Sequence, residues 1–179
     1  MLEAAKEKGI KYVMLNTNGV RIAREPEFAR QLSRIGVVVY LQFDGFASST
    51  FKTIRGMDLT GIKRHAIENL ARFDVSTVLV STVQRGVNEN EMGAIVDYAL
   101  ETHIVRGVVF QPTFYTGRHP SFDPLDRVTL PDIVRGLQPS RGTVSGNPTL
   151  SPYHAVFLHA VPPPTSTLTD ARWFRSPAW

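Results

Sequence analysis

Cysteine is missing altogether from the 179 residues. Within them there can be no disulfide, no thiolate nucleophile and no thiolate-held zinc or iron–sulfur centre. Long apolar runs are missing too: nothing approaches the roughly 18 residues of a membrane span, and the opening MLEAAKEKGIK has no apolar signal-peptide core. The expectation is a cytoplasmic protein without a membrane span. Charge of one sign is nowhere concentrated. Twenty basic and 16 acidic residues are interspersed for a net +4, with no basic run or aromatic–basic alternation, so nucleic acid is not an expected partner. No glycine loop of the GxGxxG or GxxxxGK[ST] kind is present to cradle a phosphate. The five histidines form no cluster, and His154 and His159, five apart, pair poorly on a helix, so no metal site is expected.

What is present is an alternation of two periodicities. Apolar runs rich in β-branched residues occur at KYVMLN (11–16), GVVVYLQF (36–43), STVLVSTV (76–83) and VRGVVFQP (105–112). Between them, Phe28, Leu32 and Ile35 line one helical face, Leu59, Ile62, Ala66, Leu70 and Phe73 a second, and Met92, Ile95, Val96, Ala99 and Leu100 a third. Pro26 suits a first helical turn, Gly36 a helix end, and Asn88 with Glu91 three residues on reads as a capping box. Strands separated by crossover helices run parallel, and continuous rather than alternating apolarity means that both sheet faces are covered. The fold class is therefore α/β, built from parallel βαβ units, as an open doubly wound sheet or as part of a β/α barrel.

In either architecture a ligand site forms where the strands end. Those ends read NTNGVR (16–21), QFDG (42–45), TVQRGVNENE (82–91) and QPTFYTGRH (111–119). Each alone is an acceptable turn. Together they replace core residues with Gln42, Thr82 and Gln111 at strand ends, which a turn does not require. Asp44 follows a buried strand, where a carboxylate needs donors, either from a ligand or from the turn it caps.

LNTNG, YLQFDG, TVQRGVNENEMGAIVDYAL and VRGVVFQPTFYTGR, in this order and spacing, resemble the later strands of a radical S-adenosylmethionine enzyme. The subgroup resembled is that of the tetraether-lipid synthases and, more distantly, the molybdopterin-precursor synthase. The likeness covers residues 1 to about 138. It implies the last four strands of a partial (β/α)6 TIM-like barrel. In such enzymes a 4Fe-4S cluster cleaves S-adenosylmethionine reductively and the adenosyl radical acts on a small-molecule or lipid substrate. The resemblance assigns cofactor contacts to Thr17, Asn18, Gln42, Asp44, Ser81, Thr82 and Gln111, with Gln42 and Asp44 at the ribose. Arg85, Asn88 and Arg118 fall where a substrate would be held.

The departure from that pattern is large. The CxxxCxxC loop and the GGE that should precede these strands have no counterpart, and MLEAAKEKGIK resembles the end of the helix before the third strand. The expectation is a fragment lacking cluster ligands and inactive alone, with the missing part on a separately encoded chain. Residues 139–179 hold seven of the 12 prolines and one acidic residue, and are expected to be a poorly ordered extension. Ahead of it, VTLPDIVRGLQ (128–138) reads as a helix with Pro131 in its first turn. Two alternatives stay open: a small-molecule or nucleotide-binding α/β domain, and a non-catalytic module that uses a sheet edge for interaction.

Overall fold

Strand order decides between the two architectures that the sequence leaves open. The computed structural model describes residues 1–113, 123, 125, 127–137 and, for the backbone alone, 155–158. Five strands, β1 (Met14–Thr17), β2 (Val38–Gln42), β3 (Thr77–Val83), β4 (Val105–Pro112) and β5 (Ala155–Leu158), form one sheet in the order β1-β2-β3-β4-β5. Every neighbouring pair is parallel. A doubly wound sheet reverses its strand order at a switch point, whereas a β/α barrel adds each strand beside the last. The order here never reverses, which is the arrangement of a partial TIM-like barrel.

The connecting helices stand between the strands as expected, although Leu100, read as part of the third apolar face, is 42% exposed. They are α1 (Leu2–Glu7), α3 (Pro26–Ile35), α5 (Thr60–Arg72), α6 (Met92–Glu101) and α7 (Leu130–Leu137), with Pro131 second in the last. Gly36 ends α3 at φ 70°, a left-handed conformation that a side chain would strain, and its N–H donates to Leu32 O and Ser33 O. Two short helices, α2 (Val20–Arg24) and α4 (Ser48–Arg55), stand where the sequence shows no helical period. β5 is likewise an element without a forewarning period, set inside the segment expected to be an extension; the rest of 139–179 lies outside the described residues.

The sheet has two unlike faces. Val39, Leu41, Leu79, Val83, Val108 and Phe110 belong to the large core shared with Ile22, Leu32, Ala66, Leu70 and Ile95 of the helices. Val78, Val80 and Val109 form a second small cluster with Val38 and Tyr40 on the other face. Side chains alternate along each strand, so this second face carries Asn16, Tyr40, Gln42, Thr82 and Gln111 as well. It is the face that a barrel would turn inward. No helix among the described residues is long and apolar enough to cross a membrane.

Candidate functional site

Register brings part of the expected site together. Tyr40 stands beside Asn16 and Val78, Gln42 beside Val80, Val80 beside Val109, and Thr82 beside Gln111. Gln42, Thr82 and Gln111 are thus half-buried polar groups at the carboxyl ends of three adjacent strands, on the inward face. Their neighbours one residue along point the other way. Ser81 shares the helix-facing side with Leu79 and Val83; it is fully buried, and its Oγ has no hydrogen-bond partner. Thr17 pairs with Leu41 and so takes the helix side too.

The TNG turn is closed on itself. Thr17 Oγ1 accepts from Gly19 N at 3.1 Å, and Asn18 Oδ1 from Val20 N at 3.1 Å. Gly19 has φ 81°, and a Cβ there would lie 2.6 Å from Leu41 Cδ1. From outside, Lys63 Nζ donates to Asn18 O at 2.7 Å. Burial draws the Lys63 ammonium down to about 8, with the Asp44 charge opposing and the Arg55 charge adding to the shift.

Asp44 finds its donors inside the protein. Its Oδ2 accepts from Arg55 Nε at 2.7 Å, and its Oδ1 from Arg55 Nη2 and Thr82 N, each at 2.9 Å. The carboxylate is fully buried, whereas the Arg55 side chain is 27% exposed. Arg55 Nη2 also donates to Thr82 Oγ1 at 3.0 Å. This planar, two-point pair is the strong form of a charge-assisted contact. Sequence reasoning passed over Arg55 because α4 carries too few apolar positions to announce a helix.

Asn88 and Glu91 do something other than cap their own helix. Asn88 makes no side-chain cap. Fully buried, its Nδ2 donates to Asp44 O at 2.7 Å and Thr82 O at 2.8 Å, while Oδ1 accepts from Gln84 N at 2.9 Å. The capping-box reading is corrected accordingly: the amide, itself in the loop after β3, ties the loop after β2 to the end of β3, because the carbonyls of Asp44 and Thr82 both lie within its reach. Glu91 crosses the same gap, accepting from Phe46 N, Ala47 N at 3.1 Å and Thr50 Oγ1. Arg85 donates to Arg127 O at 2.9 Å and Asp132 at 3.1 Å, beside a cleft of about 340 Å³ that Met92, Val128 and Arg135 also line. Hydrogen bonds from Thr129 and then Arg135 hold the Asp132 carboxyl well below the usual carboxylate range. Arg118 lies outside the described residues.

The residues present do not fit an iron–sulfur cluster. There is no cysteine, and among the described residues no group of three or more His, Cys, Asp or Glu could hold a metal ion. The rim does bring together the amides of Gln42 and Gln111 and the Thr82 hydroxyl, with Asp44 held by Arg55.

Compared with known proteins, the chain matches no protein-family profile. It is 39% identical over 140 residues, 75% of its own length, to the 7,8-dihydro-6-hydroxymethylpterin dimethyltransferase of Methanocaldococcus jannaschii. It spans 27% of that protein. The match supports the resemblance to radical S-adenosylmethionine enzymes in its general form. It overturns the narrower likeness to tetraether-lipid synthases: the shared sequence leads to an enzyme named for methylating a pterin.

Proposed function

We propose that the chain is part of a radical S-adenosylmethionine methyltransferase acting on a pterin-like ring, and that its strand-end rim contributes the adenosine side of the cofactor site. The observation that carries this reading is the gathering of Gln42 and the in-register pair Thr82 and Gln111 at the carboxyl ends of three adjacent strands, on the inward face of a sequentially ordered parallel sheet. The 39% identity to a pterin dimethyltransferase supports the reaction class. Any 4Fe-4S cluster would draw its thiolates from residues outside these 179, on a longer form of the chain or on a separately encoded part. A cytoplasmic setting goes with the same reading.

The contacts left to S-adenosylmethionine are neutral ones to ribose and adenine. Each missing charge-assisted contact is worth roughly 1.5–3 kcal/mol, so loss of two weakens binding by about two to four orders of magnitude. Millimolar affinity is the expected outcome. Titration of the 15N-labelled chain with S-adenosylmethionine should move the side-chain amides of Gln42 and Gln111 and the backbone amide of Thr82 together, and the paired change of both glutamines to Ala should abolish the Thr82 shift. Shifts confined to the helix-facing side, or unaltered by that change, would place the ligand elsewhere and sink the assignment.

A further inference from the structure

We propose that Lys63 is a reactive amine, set at an aromatic-walled cavity on the helix side of the sheet, where a small planar aromatic aldehyde condenses with its Nζ to an imine. The proposal goes beyond the strand-end rim and does not rest on how that rim is read, because Phe43, one wall of the cavity, belongs to the helix-side core.

Four rings, Phe43, Phe46, Phe51 and Tyr98, line a solvent-open cavity of about 230 Å³ together with Lys63 and Arg64. Phe43 stacks on Tyr98 with centroids 5.7 Å apart and 10° between the planes, and Phe46 stands edge-on to both at 5.2 and 5.5 Å. Walls of this kind suit a further planar ring, offset-stacked or edge-on. A cavity of about 150 Å³ is enough for benzene, so one substituted ring fits.

Lys63 is 1% exposed. Its Nζ lies 5.9 Å from the centre of the Phe51 ring and donates one hydrogen bond, to Asn18 O at 2.7 Å. An ammonium has three donors, and the other two meet no acceptor among the described residues. The charged form is therefore poorly solvated, whereas a neutral amine still has a hydrogen for Asn18 O and keeps its lone pair. Burial draws the group down to about 8, with the Asp44 charge opposing and the Arg55 charge adding to the shift. Arg64 is turned toward Glu68 at 3.8 Å, the Glu91 carboxylate lies behind Gly45, Asp58 is bonded to Thr60, and the Tyr98 phenol completes the titratable groups of the walls. A desolvated lysine near other cations is the usual setting of an imine-forming amine. Nζ adds to the aldehyde carbon, and both its hydrogens leave with the carbonyl oxygen as water. C=N replaces C=O, and nothing is oxidised or reduced. Protonated, the imine keeps one N–H for Asn18 O.

The test incubates the unaltered chain with benzaldehyde and cyanoborohydride, which reduces the imine to a stable benzylamine, and locates the adducts by peptide mass mapping. At about pH 7.5 a lysine near 8 holds on the order of a hundredfold more neutral amine than one near 10.4. Restricted access offsets part of this, so Lys63 should be labelled about tenfold or more faster than Lys6, Lys8, Lys11 and Lys52, none of which is buried. The preference should shrink as the pH rises toward about 10, where the other lysines also lose their protons, and vanish in concentrated urea. Benzyl alcohol, a non-reacting occupant of similar size, should slow the labelling of Lys63 alone, and acetaldehyde, which has no ring, should show a smaller preference. Equal labelling of all five lysines overturns the proposal, as does a preference that persists in urea or that benzyl alcohol leaves untouched. An equal preference with acetaldehyde overturns the aromatic class of the ligand. Every readout is taken on the unaltered chain, so none depends on a variant folding. The titration with S-adenosylmethionine reads the opposite face of the sheet, and either result stands without the other.

Discussion

Lys63 shows how a single residue can defeat a periodicity argument and still have a measurable consequence. The apolar period of α5 puts Ile62 inward, yet Ile62 is half-buried and Lys63 is 1% exposed. Lys63 lies four residues after Leu59 and four before Ile67, both buried, and so shares their face. Its folded pKa, near 8, lies below the roughly 10.4 of an unfolded lysine. Below pH 8 both states hold the proton and the cost of burying the charge is fully present. Between about pH 8 and 10.4 the unfolded chain binds more protons, so stability rises with pH, by on the order of 3 kcal/mol across the window. Urea unfolding at a series of pH values should show that rise in the unaltered chain and a flat difference in Lys63→Met. A curve for the unaltered chain that stays level, or falls relative to the variant, would mean that the ammonium is not desolvated. The same limit on sequence reasoning applies to Asp44. A buried carboxylate in need of donors is legible there, but its donor is Arg55, 11 residues away in sequence, and nothing in an apolar pattern marks a partner of that kind. Ser81 and Thr82 were read as one unit, although alternation along a strand must send one of two neighbours to the helix side.

At the scale of elements, α4 depends on a residue from another part of the chain. It has no side-chain cap of its own, and the amides of Phe46 and Ala47 ahead of it donate instead to Glu91. That carboxylate fits only because residue 45 has no side chain: a Cβ on Gly45 would lie 2.6 Å from Glu91 Oε1. Gly45→Ala should push the carboxylate off, with a loss of about 1–2 kcal/mol and faster amide exchange at Phe46 and Ala47. Glu91→Ala should do the same, and the two changes together should cost little more than either alone. Unchanged protection of those amides in either variant would show that the cross-loop cap contributes nothing. The four principal strands and the helices α3, α5 and α6 were legible because their patterns extend over enough residues to separate a period of two from one of 3.6. The eight residues of α4 bury Thr50 and Phe51 side by side, which matches neither period. β1 begins at Met14 rather than Lys11: Tyr12 is 82% exposed, so an apolar-looking start is not itself a paired strand.

For the whole molecule, the informative combination is a sheet of sequential parallel order with a composition that contains no cysteine. The order aligns the carboxyl ends of the strands on one rim and thereby makes a cofactor site possible. The composition sets what that rim can do unaided, because iron–sulfur clusters are held by thiolates, and the described residues contain no alternative cluster of three metal-ligating side chains. On the proposed reading, ligand binding and reductive cleavage should separate in this chain: weak binding is expected at Gln42, Thr82 and Gln111, and no cleavage is expected from these residues alone. Reconstitution of the 179-residue chain with iron and sulfide is expected to give no thiolate-to-iron charge-transfer absorption, and reduction in the presence of S-adenosylmethionine no adenosyl-radical product. The cofactor titration run on the same sample serves as the control for a folded rim. A stoichiometric cluster on this chain would require oxygen or nitrogen ligands converging from outside the described residues, and would overturn the division of labour argued from the sequence.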